Sequence, residues 1–416
     1  MTKNKSFLSP IVIIGMLFFI FGFITWLNGT LIPFLKIACE LEYAEALLVT
    51  FAFYIAYVFL AIPSSFILTK VGFKNGMALG LVIMAIGAVV FVPAAQSRSF
   101  ALFLTGLFIQ GAGISLLQTA SNPYISILGP IESAAQRISI MGVCNKIAGA
   151  LSPLILGAII LDGASDIENQ LKTSLASEKE ILLNELAGRV IVPYIVMAIA
   201  LLLLAFMIYK SSLPEIDTSK DESEAVQDAS GKSIFQHVNL VLGILAIFCC
   251  VGVEVIAGDT IGQYGSSLGI SLDVSKNFTS LTLVAMLVGY FVGIVAIPKY
   301  IPQNKALMYC GIIGVLFTIG IIFTAGFTSV AFVALLGLAN SLMWPAIFPL
   351  AIKGLGKKTE FGSALLIMGI GGGAILPFFY GKIAESVGVQ QAYLILIPCY
   401  LYILYFATIG HKKQTW

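Results

Sequence analysis

Charged residues are scarce in this sequence. Only 11% of its 416 residues are Asp, Glu, Lys or Arg, whereas 59% are apolar; a soluble domain has about 25% charged residues. A soluble fold of this length cannot bury so much apolar surface. A bilayer can surround it, because an apolar helix of about 20 residues spans the membrane with its backbone satisfied internally. The composition therefore favours an integral membrane protein made of helices.

An excess of one charge sign is also missing. The 23 basic and 21 acidic residues leave a net charge of +2, so there is no bulk charge for binding a nucleic acid. The alternation of polar and apolar residues that marks membrane β-barrels is absent as well. We expect membrane lipid around the protein, no nucleic-acid partner and no obligatory protein partner.

Residues for catalysis or metal binding are few. The two histidines, His237 and His411, lie at the ends of apolar runs, and neither HExxH nor GxSxG occurs. The six cysteines show no CxxC spacing, which is typical of small buried side chains rather than of metal ligands. We predict no catalytic residues, no metal site and no bound cofactor, which argues against an enzyme within the membrane.

Long apolar runs separated by polar joints dominate what is present. Lys3 and Lys5 precede the first run, as in a secretory signal, but that run is too long and lacks a cleavage site. It is therefore predicted to stay as the first of twelve transmembrane helices. The predicted spans are 11–35, 46–69, 76–95, 100–128, 138–161, 191–209, 238–260, 278–298, 306–326, 328–352, 361–384 and 389–410.

Two joints are long, at residues 162–190 and 210–236. The second contains Pro214 and the acidic stretch 221–228, which is typical of a solvated linker. It predicts a boundary between two units. We expect an N-terminal six-helix half at 1–210, a cytoplasmic linker at 211–236 and a C-terminal six-helix half at 237–416.

The two halves repeat each other. The sequence GALSP at 149–153, followed by Gly157, matches GAILP at 373–377, followed by Gly381. Ser115, Gln118 and Pro123 in span 4 match Ser341, Trp344 and Pro349 in span 10, and Gly22 in span 1 matches Gly252 in span 7. These pairs occur in the same order at nearly one spacing, so the halves are predicted to share one topology.

Basic residues concentrate in every second joint. Lys70 and Lys74 follow span 2, and Lys353, Lys357 and Lys358 follow span 10. Both joints lie on the same side as the N-terminus, and that side is cytoplasmic by the positive-inside rule. We expect a multi-pass protein of a bacterial inner membrane with both termini in the cytoplasm.

The repeat resembles the Major Facilitator fold, in which two six-helix halves enclose a substrate site at mid-membrane. The loop after span 2 keeps part of that family's signature. Lys70, Gly72 and Lys74 are present, but Thr69 replaces the acidic residue. The resemblance implies an all-α integral membrane fold of twelve helices whose spans 1, 4, 7 and 10 line the path.

A longer stretch is more specific. Residues 116–130, LLQTASNPYISILGP, resemble the bacterial fucose-galactose-glucose:cation symporter family and, within it, the glucose/galactose transporter branch. Further similarities are TWLNG at 25–29, CNK at 144–146, VGVE at 251–254 and NSLMWP at 340–345. The resemblance covers nearly the whole chain and implies secondary active uptake of a hexose, usually coupled to a cation.

One departure from the family concerns acidic residues. The fucose branch has one acid in span 1 and another in span 4, where this sequence has Gly29 and Gln118. If those acids carry protons in that branch, this chain must couple transport differently or not at all. A co-transported proton or sodium ion remains open.

Three ionisable residues are predicted to lie deep, namely Lys146, Glu254 and Asp259. A charge at mid-membrane costs at least about 2.5–3.5 kcal/mol, so each is a candidate for function. Glu254 is the strongest candidate for coupling, because a carboxyl group can carry a proton, hold sodium or bind a sugar hydroxyl. Asp259 is the second, with a solvated helix end as the alternative. Lys146 can pair with Glu254 across the halves, as a structural or a switching pair.

Neutral hydrogen-bonding side chains suit an uncharged sugar, because each hydroxyl that leaves water needs a new partner. Gln118 and Asn122 are four residues apart and share a helix face. Asn28 and Asn145 are expected to converge on the same space if the family arrangement holds. The alternative for each is a hydrogen bond between helices that only holds the bundle together.

Trp344 is predicted to lie too deep for a membrane-interface residue. Its ring can stack on the apolar face of a sugar, with ordinary packing as the alternative; Trp26 is a weaker candidate of the same kind. Glycines at 369, 371, 372 and 373 permit close helix approach or bending in span 11.

We therefore expect alternating-access hexose transport, with glucose, galactose or both as substrate. The predicted substrate contacts are Asn28, Gln118, Asn122, Asn145, Trp344 and Glu254, and the predicted coupling residues are Glu254 and Asp259. Alternatives are a carrier of the same fold for N-acetylglucosamine or fucose, an uncoupled hexose facilitator and a passive channel.

Overall fold

The computed structural model describes residues 10–127, 134–211, 213, 234–297, 299–355 and 359–413, and the regular structure in these ranges is helical throughout. Within them, the side chains of residues 10–11, 69, 122–127, 134–139, 172–173, 176 and 359–360 are outside the description. Twelve helical segments of the described chain are long and apolar enough to cross a membrane. The predicted all-helical membrane fold is confirmed.

The observed helices begin and end within a few residues of the predicted spans. They are α1 (Pro10–Thr25), α2 (Asn28–Ala38), α3 (Tyr43–Ala46), α4 (Leu48–Val71), α5 (Phe73–Gln96), α6 (Phe100–Ile127), α7 (Ala134–Ile160), α8 (Ala164–Thr173), α9 (Ala176–Gly188), α10 (Ile191–Lys210), α11 (Val238–Asp259), α12 (Ile261–Ser267), α13 (Leu272–Ser275), α14 (Phe278–Ala296), α15 (Gln303–Phe323), α16 (Gly326–Asn340), α17 (Met343–Ile352), α18 (Thr359–Met368), α19 (Gly372–Val387), α20 (Val389–Ala392) and α21 (Leu396–Thr408).

Three spans are interrupted near their centres. Span 1 breaks between α1 and α2 at residues 26–27, span 10 between α16 and α17 at 341–342, and span 11 at the 3-10 turn Gly369–Gly371. Pro345 explains the second break, because it offers no N–H to the carbonyl of Ser341. The glycines explain the third, since glycine is a weak helix former.

The joint at 162–190 is not an irregular loop. It forms the helices α8 and α9, and α9 packs on α2 and α5. Leu183, Leu186 and Ala187 are its buried face. These helices cover the end of the bundle that also carries residues 38–43. We call this end the distal end and the opposite end, which carries Pro10, the proximal end.

The two halves contact each other through two long helix pairs. Helix α4 packs along α19, and α7 packs along α14. Span 1 also contacts α11 and α12 through α2. The predicted linker lies between these halves, and its residues 214–233 are outside the described residues.

Matched glycines occupy matched helix crossings in the two halves. A Cβ on Gly22 of span 1 would collide with the backbone of Asn145 in span 5. A Cβ on Gly252 of span 7 would likewise collide with Leu376 in span 11. Each half therefore brings its first and fifth spans together at a glycine, as expected for a repeated unit.

Candidate functional site

A buried ion pair joins the two halves near the centre of the bundle. Lys146 of α7 places its Nζ 2.6 Å from Oε1 of Glu254 in α11, and their side chains are 9% and 14% exposed. Lys146 belongs to the N-terminal half and Glu254 to the C-terminal half. Each charge is thus compensated by the opposite half, so any motion that separates the halves here must supply new partners.

The Lys146 ammonium also lies over an aromatic ring. Its Nζ is 4.5 Å from the centre of the Trp26 ring, within the range of a cation–π contact. Trp26 is only 2% exposed, and its ring packs where Gly149 and Gly258 have no side chains. Span 1 and the two charged helices thus meet at one point.

Asn28 begins α2 directly after the break in span 1. It is 1% exposed, and neither atom of its amide has a hydrogen-bond partner among the described residues. Buried amides are nearly always hydrogen-bonded, so an unpaired one requires an explanation. A polar ligand is one explanation that fits this site.

Gln118 has a partner within its own half. Its Nε2 donates to the Tyr57 hydroxyl of α4 at 3.0 Å, and the side chain is half-buried. Asn122 lies one turn further along α6, but its side chain is outside the described set. Their predicted shared role therefore rests on Gln118 and on helix spacing.

Asn145 lies between spans 5 and 1. Its Nδ2 is 3.5 Å from the Phe18 carbonyl, and the residue is 8% exposed. Together with the Gly22 crossing, this contact matches the bundle-stabilising alternative for Asn145. It leaves the amide oxygen to be assigned by experiment.

Trp344 is half-buried at the start of α17, just after the break in span 10. It stacks on Phe348 with ring centres 5.9 Å apart and planes 27° from parallel. The two rings form an aromatic surface on the C-terminal half. Such a surface can pack against the C–H face of a sugar ring.

Asp259 ends α11 and is completely buried. Its Oδ2 accepts a hydrogen bond from the Thr50 hydroxyl of α4 at 3.4 Å. Its Oδ1 has no partner in the part of the chain that the structure describes. The solvated helix end considered for Asp259 is therefore wrong, because α4 of the other half covers this position.

Tyr54 connects the two acidic residues. Both Asp259 and Glu254 lie close enough to Tyr54 to interact with it electrostatically, and Tyr54 is 4% exposed. Tyr57 and Tyr54 stack with ring centres 6.2 Å apart. Sequence analysis missed both tyrosines and Thr50. The available signal was a run of hydroxyl-bearing side chains within apolar span 2.

Several hydrogen bonds join the two halves in the distal part of the bundle. The Tyr43 and Tyr380 hydroxyls are 3.4 Å apart, and the amide of Ala44 donates to Glu385 Oε1 at 3.1 Å. Lys276 donates to the Leu161 carbonyl at 3.2 Å. The Ser280 hydroxyl likewise donates to the Ala150 carbonyl at 2.6 Å. These contacts hold the distal end closed.

Metal ligation finds no support in the described ranges. No group of three or more His, Cys, Asp or Glu residues there is arranged to hold a metal ion. The polar groups near the centre are instead one ion pair, neutral amides and hydroxyls. That set suits an uncharged polar ligand and one small cation.

A family model described as the Major Facilitator Superfamily matches residues 14–377. The chain is 33% identical over 415 residues to a protein named glucose/galactose transporter from Brucella abortus biovar 1 (strain 9-941), which covers 99% of this chain and 96% of that one. It is 29% identical over 421 residues to the L-fucose-proton symporter of Escherichia coli (strain K12), covering 99% of this chain and 95% of that one.

A crystal structure of the E. coli fucose:proton symporter resembles this fold, with a TM-score of 0.74 and 27% identity. The similarity covers 97% of this chain and 98% of that one. The likeness extends over both six-helix halves.

Proposed function

The chain belongs to the Major Facilitator Superfamily, and we propose that it takes up glucose or galactose across a bacterial inner membrane by alternating access. Membership makes it a multi-pass membrane transporter rather than an enzyme. The hexose itself is the further step. It is supported above all by full-length similarity to a protein named glucose/galactose transporter.

The central polar groups fit a neutral sugar. In this proposal Gln118, Asn28 and Asn145 hydrogen-bond sugar hydroxyls, and Trp344 covers one face of the ring. Asn122 joins them because it is one helical turn from Gln118 on α6. The unpaired amide of Asn28 supports the assignment most directly, since a bound hydroxyl would satisfy it.

Glu254 is the proposed coupling residue. Its ion pair with Lys146 is already complete, so a proton or sodium ion can bind Glu254 only if Lys146 withdraws. The Trp26 ring gives the Lys146 ammonium a second favourable contact. Cation binding at Glu254 would thus weaken a contact between the halves, which is a direct way to couple the ion to their movement.

Asp259 is proposed as a second coupling residue nearer the distal end. Its carboxyl group is buried and bonded to Thr50 of the other half. A charge there without a cationic partner is costly, so we expect Asp259 to be neutral while the distal end is closed. It would ionise once α4 and α11 separate and water enters.

Orientation and division of the chain complete the proposal. Both termini lie in the cytoplasm, because basic residues concentrate in the joints at the proximal end. The distal end then faces the periplasm. Residues 1–210 and 237–416 act as two six-helix units, joined by the cytoplasmic linker 211–236.

The test measures uptake of radiolabelled glucose and galactose by cells that lack other hexose transporters. Proton and sodium gradients are collapsed separately, and Glu254→Gln is compared with wild type. Wild type should concentrate sugar with one gradient present. Glu254→Gln should lose accumulation but retain exchange of labelled for unlabelled sugar, because its path remains intact. Glu185→Gln, on the distal surface, is the matched control.

Two outcomes would count against the proposal separately. Failure of wild type to carry either sugar would remove the substrate assignment. Accumulation by Glu254→Gln with unchanged gradient dependence would remove its coupling role.

An uncoupled facilitator is the second candidate, favoured by one observation. Lys146 already neutralises Glu254, so the centre needs no external cation. Wild-type uptake that stops at equal concentrations, whatever the gradient, would select this candidate. Uptake of L-fucose or N-acetylglucosamine in place of glucose would select a different substrate for the same fold.

A further inference from the structure

A cavity of about 520 Å³ lies on the seam between the halves at the distal end. Residues of α2 and α9, including Lys36 and Lys179, form one wall, and residues of α12, including Gln263 and Ser267, form the other side. Its volume falls within the range of about 300–1,000 Å³ found for small-molecule sites. The proposed central contacts do not line it, so it is a separate space.

Gln263 gives this cavity a polar floor. The residue is 4% exposed, and neither its amide oxygen nor its amide nitrogen has a hydrogen-bond partner within the described chain. One amide can both accept and donate hydrogen bonds. Burial without partners is unfavourable, so a ligand with hydroxyl groups would satisfy atoms that the protein leaves unpaired.

The charges around the cavity balance. Lys36 and Lys179 face Glu40 and Glu168, so an anion or a cation gains no net attraction. Each of these groups can still bond a hydroxyl. Pro33, Leu171 and Leu272 add apolar surface for the C–H groups of a sugar. This combination selects a neutral, polyhydroxylated ligand.

The wall of the cavity is anchored. Glu40 pairs with Lys179 of α9 and with Arg98 at 3.6 Å. Arg98 also donates to the Ala38 carbonyl at 3.1 Å. Glu40 and Arg98 both adopt left-handed backbone angles, with φ of 55° and 47°. The loops after spans 1 and 3 are therefore fixed against α9.

The cavity is connected to the candidate transport path by adjacent helices. Helix α12, which carries Gln263, packs on α2, which begins with Asn28. Both residues are buried amides without partners in the described ranges. Hydrogen-bonding groups thus continue from the distal cavity toward the centre.

We propose that this cavity is a vestibule site that binds a monosaccharide while the distal end is closed. It deepens the proposed hexose transport, because the ligand class follows from both. Its two sides belong to different halves, so the site exists in the closed state and comes apart when the distal end opens. A sugar held there lies at the mouth of the path when opening begins.

A test needs the distal end fixed closed, so that external sugar reaches the vestibule but not the centre. A Cβ added to Gly381 would lie 3.4 Å from the Cβ of Ala44, close to the separation of about 3.5–4.5 Å in disulfides. The double variant Ala44→Cys/Gly381→Cys should therefore form a bridge between the halves. If it does not assemble, Ala44→Cys/Glu385→Cys joined by a short dithiol-reactive linker replaces it.

The readout is protection of a thiol in the vestibule. Ser267→Cys is added to the bridged protein with Cys39→Ser, and peptide mapping confirms that position 267 stays reduced. A membrane-impermeant thiol reagent is applied from the distal side, with glucose or galactose present or absent. Ser97→Cys, exposed at the same end but outside the cavity, is the matched control.

Sugar should slow labelling at position 267 and leave position 97 unchanged. Gln263→Ala should raise the sugar concentration for half protection by about fivefold, the loss expected for one or two hydrogen bonds. Glu168→Gln on the wall should act in the same direction, which guards against misfolding of the Gln263 variant.

Equal labelling of position 267 with and without sugar would overturn the vestibule site, as would protection that Gln263→Ala leaves intact. Wild-type uptake is measured alongside. Normal hexose uptake without protection removes only the vestibule, whereas absent uptake removes the proposed function on which it rests.

Discussion

Lys146 depends on two neighbours at the residue scale. Glu254 compensates its charge directly, whereas the Trp26 ring contributes a weaker cation–π attraction. Both charged side chains are largely buried, so water cannot replace a lost partner. Removal of one member of such a pair typically costs about 3–5 kcal/mol, because the other charge stays buried and unpaired.

We therefore expect Glu254→Gln to lower thermal stability and Lys146→Met/Glu254→Gln to recover most of the loss. The double variant removes both charges at once, so no uncompensated ion remains. The measurement is the midpoint of thermal unfolding in detergent. Glu185→Gln, which breaks the more exposed pair with Arg189, should cost less than about 1 kcal/mol. A double variant no more stable than Glu254→Gln would contradict this account.

Sequence pattern predicts the deep charged and polar residues but not all of their partners. Lys146 and Glu254 stand out because charge is rare in apolar spans, and the sequence allowed for their pairing. The partners of Gln118 and Asp259 are Tyr57 and Thr50 of α4. Nothing in their own helices indicates them, because they depend on how span 2 is rotated against spans 4 and 7.

Helices follow their apolar runs closely at the element scale, but their interruptions do not follow from hydrophobicity. The break at residues 26–27 has no proline or glycine within it. It coincides with the packing of Trp26 against Gly149 and Gly258, which lie on two other spans. Packing thus overrides local propensity where α1 meets α2. The helices α8 and α9 were missed because their sequences are polar.

Span 11 shows why small residues matter at helix crossings. A Cβ on Gly371 would collide with Val58 of span 2, and one on Gly372 would collide with the backbone of Phe248 in span 7. Helix α19 therefore packs against both halves through glycine. The expectation that these glycines permit close approach and bending agrees with the 3-10 turn Gly369–Gly371.

Gly372→Ala should destabilise the protein by about 1–3 kcal/mol, because the backbone of α11 must move to admit the methyl group. The comparison is Gly188→Ala at the end of α9, where an added Cβ meets nothing within 4 Å. That variant should be neutral or slightly more stable, since alanine favours helix. Thermal unfolding and size-exclusion profiles compare the two. Equal behaviour would refute the close-packing explanation.

Closure at one end is the main feature at the scale of the whole molecule. Links at the distal end come from side chains and backbone of both halves, including Tyr43 with Tyr380 and Ala44 with Glu385. The halves share one topology, with Gly22 and Gly252 at equivalent crossings. Two such units can rock about the central ion pair as nearly rigid bodies, which is the movement that alternating access requires.

A disulfide between positions 44 and 381 should stop transport, because the distal end can then no longer open. Oxidised Ala44→Cys/Gly381→Cys should lose uptake and exchange, and a reductant should restore both. Each single variant should transport normally under the same oxidant, which controls for the native cysteines, including Cys39 near the bridge. Sugar binding from the proximal side should survive in the bridged protein, because the central residues are not altered. Continued uptake by fully bridged protein would mean that the distal end need not open, and alternating access between these halves would then be wrong.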